Sequence, residues 1–291
     1  MSVFVKQNST SMNFHSSDGW VILSSIEQSI KQKIEKAGIP LRNWDVNIYR
    51  GILTGYNDAF IIDGATKNDL IRKDPKSAEI IRPILRGRDI KRYGYDFADL
   101  WLINVHNGIK EKGIPPINID EYPAIKAHLR LYYDKLQKRL DQGDTPYNLR
   151  NCAYMDDFSK QKIAYNDISQ KLSFVLLPEG MFMNNTVYFI SYNEHIKYLL
   201  GCLNSPIYDW YYRTLSVQLG DNAVRLFSIY VLKLHIYMPT VDEELYVTQN
   251  VDLILDADKS AMEKAQAEKN IDMFLAQKYN LTAEEQHFLM N

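Results

Sequence analysis

The sequence predicts an α+β fold: a body built on a mixed, twisted sheet with flanking helices, followed by a small C-terminal helical segment. Three observations carry this. Apolar residues at helical spacing (Ile26, Ile30 and Ile34; Ile196, Leu199, Leu200 and Leu203) occur in the same chain as short strand-like runs. After Pro239 the strand-like runs stop and helical patterns remain. With 46% hydrophobic and 24% charged residues, a chain of 291 residues has the material for a sizeable core. The expected division is a flexible N-terminal arm over 1–20, a body over 21–240 and a helical segment over 241–291.

Taken in order, the polar, Ser/Asn-rich start is the arm. Ser25 with Gln28 fits a capping box, the stripe Ile26, Ile30, Ile34 and Ala37 follows, and Gly38 and Pro40 stop the helix. Gly51 and Gly55 flank a turn, and Ala59 to Ile62 reads as a short strand. Asp74-Pro75 is an N-cap followed by a helix-starting proline. That helix carries Ala78, Ile81 and Leu85 inward and Lys76 and Arg82 outward, and Pro83 ends or bends it. Leu100 to Val105 is strand-like. Tyr122-Pro123 opens a long helix with Ile125, Leu129, Tyr132, Leu136 and Leu140 on one stripe, stopped near Gly143. Strands are expected at 162–168, 172–177 and 186–191, with a turn at Pro178-Glu179-Gly180. Two helices follow, the second capped by Ser205-Pro206, and Leu232, Leu234 and Ile236 alternate like a half-buried strand. Ser260 with Glu263, and Thr282 with Glu285, cap the last helices.

Charge is unevenly spread. Lys67 to Tyr93 holds nine basic and four acidic residues, a local charge of +5 in a chain of net charge −2, which points to an anionic partner met by one face. Asp242 to Glu285 holds eleven acids and four lysines, net −7, and points to a different partner. No apolar run approaches the ~20 residues of a membrane span. No basic-then-apolar leader opens the chain, so a cytoplasmic protein without membrane association is expected. Two cysteines, Cys152 and Cys202, form no disulfide framework and read as buried thiols. The six histidines lack metal-ligand spacing, and there is no GxGxxG, no GxxxxGK and no GxSxG; neither a metal site nor a catalytic residue is assigned.

The run Tyr49-Arg50-Gly51-Ile52, Thr54-Gly55-Tyr56-Asn57 and Phe60-Ile61-Ile62-Asp63, then Pro75-Lys76-Ser77 and Arg82-Pro83-Ile84-Leu85-Arg86-Gly87-Arg88-Asp89-Ile90, resembles the TaqI-like C-terminal specificity domain. Later blocks continue the resemblance: Asn148-Leu149-Arg150, Phe158 to Ile163, Asp167-Ile168-Ser169, Asn185 to Ile190, Leu199 to Ser205, and Ile271 to Glu285. It covers roughly residues 20 to 290. In that family this is the target recognition domain of adenine-specific DNA methyltransferases and type IIG restriction–modification enzymes, bacterial defence systems.

The resemblance implies a DNA-binding specificity domain that docks on double-stranded DNA on behalf of methyltransferase and endonuclease domains of the same polypeptide or complex. The catalytic domains and their S-adenosylmethionine and Mg²⁺ are expected outside this chain, with no cofactor in it. The target adenine would be flipped into the partner domain. Arg50, Lys76, Arg82, Arg86, Arg88, Lys91 and Arg92 are the candidates for phosphate contacts. Thr54 and Asn57 would approach a base or the backbone, and Lys160, Lys162 and Asn184 would lie on the same cleft. Neutralising ~6 phosphates gives a log–log salt slope of about −5.

Plainer readings stand beside these. Arg50 and Asp63 form a structural pair, Arg86 to Asp89 is a turn held by its own Arg–Asp contacts, and Asn57 bonds a loop. Lys160 and Lys162 are the wet face of a strand, and Tyr208, Trp210, Tyr211 and Tyr212 are packing. The alternative functions are a non-catalytic interaction or assembly subunit of a DNA-modification complex, and a self-contained hydrolase with a carboxylate site.

Overall fold

The computed structural model describes residues 23–191, 194–216, 218–219 and 223–290. The expected arm at 1–20 lies outside the described residues. The chain divides into two compact units, one of residues 47–167 with 173–196, the other of the segment up to Val46 with 168–172 and 197–291. These borders differ from the expected division at residues 20 and 240.

The unit of 47–167 and 173–196 holds two four-stranded sheets, so the α+β expectation holds. The first is antiparallel throughout, in the order Phe174–Leu177, Lys162–Asn166, Val187–Ser191, Asn47–Arg50. The second runs Phe182–Met183, Ile81–Leu85, Leu100–Ile103, Ile61–Asp63, with its first pair parallel and the rest antiparallel. The chain passes between the sheets at Gly51-Ile52. Gly51 N–H donates to Val187 O at 2.8 Å, Ile52 N–H to Met183 O at 2.7 Å, and Asn184 N–H to Leu85 O at 2.9 Å. A side chain at Gly51 would collide with the Asn184 and Met183 carbonyls, which is why glycine stands there. The core beneath is apolar and aromatic: Phe158 stacks on Phe182 at 4.6 Å, and both pack with Ile84, Leu102 and Phe189.

Several elements differ from expectation for local reasons. Asn57–Phe60 is a helical turn and the strand begins only at Ile61. After Asp74, which caps the turn by accepting from Lys76 N–H, the chain makes a 3-10 turn over Pro75–Glu79 and then enters the strand Ile81–Leu85. Pro83 is tolerated in that strand. Asn104 N–H donates to Ile80 O, so by alternation the missing N–H of Pro83 faces away from Leu100–Ile103. The long helix after Pro123 breaks. Pro123–Arg130 and Tyr133–Leu136 are separate, and the second ends at Leu136, which stays buried on the expected stripe; beyond it the chain is no longer helical, so Leu140 is 98% exposed and Arg139 is buried. The hairpin Ile90–Lys91 with Gly94–Tyr95 was not foreseen.

In the other unit, Ser24 and Glu27 cap the helix Ser25–Ala37, one residue earlier than expected. Ile39–Pro40 pairs with His235–Ile236, so the strand expected from Leu232 shrinks to two residues behind the helical turn Ser228–Val231. A three-stranded sheet joins Gln218–Leu219, Ala223–Arg225 and Ile168–Ser169. The rest is helical. Thr240 with Glu243 forms a capping box on Val241–Leu255, a helix missed although its S/T-x-x-E signature is present. Ser260 with Glu263 caps Ala261–Lys278. Gly201 lets the helix Ile196–Leu203 approach Val247, Val251 and Ile271. Tyr208, Tyr211 and Tyr212 are fully buried, with Tyr208 Oη bonded to Tyr279 Oη and to the His235 carbonyl, so they pack the core. Cys202 is buried, whereas Cys152 is only partly so. Among the described residues no helix is long and apolar enough to cross a membrane.

Candidate nucleic-acid interface

All twelve candidate residues fall in the unit of 47–167 and 173–196. The fold commits most of them to bonds within the protein. Thr54 is 1% exposed; its hydroxyl donates to Asn57 Oδ1 at 2.7 Å and accepts from Tyr56 N–H at 3.2 Å. Asn57 is exposed, but its side-chain oxygen is thereby used to hold the turn. Asn184 is 6% exposed, and its Oδ1 accepts from both the N–H and the hydroxyl of Thr186.

Arg82 donates to the carbonyls of Ala78, Glu79 and Ile81 and so closes the 3-10 turn at Pro75–Glu79. Lys76 bonds Glu121 at 2.6 Å and sits over the Tyr122 ring; the Glu121 bond holds its ammonium above the usual lysine range. Arg86 grips Asp89 through two bonds, Nε–Oδ2 at 3.0 Å and Nη2–Oδ1 at 2.9 Å, while its own N–H donates to the same carboxylate. Burial pushes the Asp89 carboxyl up, but the Arg86 bonds and the charges of Arg86 and Arg88 outweigh this and hold it below the ordinary range. The turn is therefore held by its own Arg–Asp contacts.

Lys162 corrects the expectation most plainly. It is fully buried, and its ammonium donates to the carbonyls of Phe158 at 2.8 Å, Lys160 at 2.7 Å and Pro178 at 3.4 Å. Burial pushes its pKa down to about 8. It ties down the end of the Met155–Ser159 turn and does not reach a ligand. Lys160 is outside, paired with Asp157 at 2.8 Å. Arg50 does not pair with Asp63, whose carboxylate instead caps the helix Gly64–Lys73 by accepting from Thr66 N–H. Arg50 lies over the Tyr188 ring, donates to Asn185 O at 2.7 Å and reaches Asp167 at 3.7 Å.

The remaining cations gather on one element. Arg88, Lys91 and Arg92 lie on the segment that leads into and forms the hairpin 90–95. Arg88 is exposed and its guanidinium has no ion-pair or hydrogen-bond partner among the described residues; Lys91 is exposed and 3.6 Å from Asp96. Arg92 stacks over Tyr93, which sits at φ 61°, a left-handed conformation that a bulky residue adopts only when held there. It is held: Tyr93 N–H donates to Phe174 O at 2.9 Å, pinning the hairpin tip to the first sheet.

Three residues outside the candidate set shape the neighbouring region, one buried and two lining a cleft. Arg139 is 7% exposed and donates to the carbonyls of Thr54, Pro146 and Asn148, joining two sequence blocks almost a hundred residues apart. Burial pushes its guanidinium down to about 10, which leaves it charged at neutral pH. Beside it a cleft of about 240 Å³ opens between the Arg50–Leu53 and Leu149–Met155 segments, with Asn185 completing the lining. Arg50 and Arg150 are the two charged residues of that lining. Arg150 and Asn185 stood inside the quoted motif blocks, but one residue from Leu149 and Asn184, and alternation decides which side chain turns outward.

The TaqI-like C-terminal specificity domain model matches residues 82–236, more than half of the chain. The chain belongs to the TaqI-like C-terminal specificity domain family. The match includes the Arg82–Ile90 run, the hairpin 90–95 and Arg150, and leaves the 49–63 and 271–285 blocks outside it. Among curated proteins none matches the sequence. Two solved structures resemble this TaqI-like chain in fold. The type IIL restriction–modification enzyme MmeI, solved in complex with DNA, is 14% identical with a TM-score of 0.62, over 84% of this chain and 34% of MmeI. The type IIG restriction endonuclease BpuSI is 14% identical with a TM-score of 0.51, over 89% of this chain and 33% of BpuSI. The chain thus spans about a third of the length of either enzyme.

Proposed function

We propose that this chain is the duplex-DNA target-recognition segment of a restriction–modification enzyme of the type IIG kind, a cytoplasmic adenine-specific DNA methyltransferase with associated endonuclease activity. Methyl transfer from S-adenosylmethionine and Mg²⁺-dependent cleavage then belong to other domains of the parent enzyme. The observation that carries the reading is the specificity-domain match over residues 82–236. The geometry supports it by leaving Arg88, Lys91 and Arg92 on a pinned hairpin, where they neutralise phosphates and set the register of the duplex.

The test is a fluorescence-anisotropy titration of the chain with labelled duplex DNA across a salt series. Each phosphate neutralised contributes about −0.9 to the log–log slope, so the hairpin segment alone gives about −3. Binding that is absent at low salt, or insensitive to salt, contradicts the reading.

A further inference from the structure

We propose that the cleft between Arg50 and Arg150 is a second phosphate seat, separate from the hairpin; the inference rests on the DNA-recognition reading above. Its lining carries two positive charges and no acid. The groups that ionise to anions there stay neutral: burial pushes the Cys152 thiol up to about 11 and the Tyr154 hydroxyl up to about 12. Tyr154 Oη is in any case spent on the Arg50 carbonyl at 3.0 Å, and its ring is stacked on Tyr49 at 4.3 Å and packed with Phe158 and Phe189. At about 240 Å³ the cleft is smaller than the roughly 300–1,000 Å³ of sites that enclose whole small molecules. It suits one group of an extended ligand.

The two guanidiniums are held but not consumed. The Arg50 side chain is 46% exposed and its carboxylate partner, Asp167, stands 3.7 Å away. The Arg150 side chain is 55% exposed and bonds Asp141 at 3.1 Å through one nitrogen. A guanidinium presents five N–H donors in a planar fork that matches two phosphate oxygens, so each arginine keeps donors for an anion. The half-buried Asn185, whose own backbone carbonyl accepts from Arg50 Nε, completes the lining. A tetrahedral dianion or a backbone phosphodiester has the charge and size this arrangement takes, and in a chain of this family the phosphodiester is the DNA backbone.

The experiment is the same anisotropy titration on the full chain and two variants, with thermal melts run in parallel. Arg150→Gln removes an exposed cation whose one ion pair among the described residues is at the surface, so its melt should match wild type. It should flatten the salt slope by about 0.9, equally for duplexes of unrelated sequence. Asp141→Asn removes the competing carboxylate and should tighten binding. A steep wild-type slope that Arg150→Gln leaves unchanged overturns the cleft assignment while leaving DNA recognition intact. A loss confined to one duplex sequence also overturns it, because the arginine would then read a base. A wild-type chain without salt-dependent binding sinks both readings.

Discussion

Arg86 and Arg88 are two residues apart in one basic run, yet the fold places them in opposite roles. Arg86 neutralises a carboxylate that is 5% exposed, and Arg88 extends into solvent. Removing Arg86 leaves Asp89 buried without its partner. Arg86→Ala should therefore cost about 2–3 kcal/mol in urea unfolding, whereas Arg88→Ala should leave the unfolding midpoint unchanged and flatten the DNA salt slope by about 0.9. Lys162 makes a second prediction at this scale. Its folded pKa of about 8 lies below the ~10.4 of an unfolded lysine, so between those values the unfolded chain binds more protons and stability rises with pH. Lys162→Met should abolish that rise and, at pH 7, strip three carbonyls of their donor; unfolding curves at pH 7 and above pH 9 distinguish the two effects.

Elements are joined by contacts as local as these. Glu285 caps its helix at Thr282, accepts from Ser29 and pairs with Lys33 at 2.6 Å. Burial pushes its carboxyl up, but these bonds win and bring it down to about 2. A depressed carboxylate stabilises the fold above its unfolded pKa, and that stability is lost as pH falls from about 4.5 towards 2. Glu285→Gln should cost about 2–3 kcal/mol at pH 7 and remove this part of the acid sensitivity. Gly51→Ala should be worse, since the two sheets meet there and no side chain fits between the carbonyls; loss of the cooperative thermal transition is the expected readout.

At this scale, too, the sequence is readable in a particular way. The caps at Ser260 and Thr282, the strands between 162 and 191 and the helices after Ser260 were visible because their signals are local. What was not visible is phase. Whether Asn184 or Asn185, and Arg139 or Leu140, faces outward depends on where a helix ends or a bridge forms. Partners distant in the chain decide that: Thr186 for Gly87, Asn184 for Ile52, Thr54 for Arg139. The hairpin at 90–95 was missed because its turn holds Arg92-Tyr93 instead of the glycine-rich pair that announces such turns, and Phe174 supplies what the turn residues lack.

For the whole molecule, the feature with the widest reach is the return of the chain at Ile168–Ser169, which lies between two parts of one compact unit yet pairs with Ala223–Arg225 in the other. Anyone swapping target preference between relatives would naturally transplant residues 47–196 as one block. That block carries away a short piece its recipient needs, because Ser169 and Ile168 are in register with Val224 and Arg225. A chimera that keeps the recipient's own 168–172 inside the donor block should express as a soluble protein with a single melting transition. The uninterrupted transplant should melt lower wherever the donor's five residues do not match the recipient's edge. The boundaries of exchangeable specificity here are four junctions in the chain, not two.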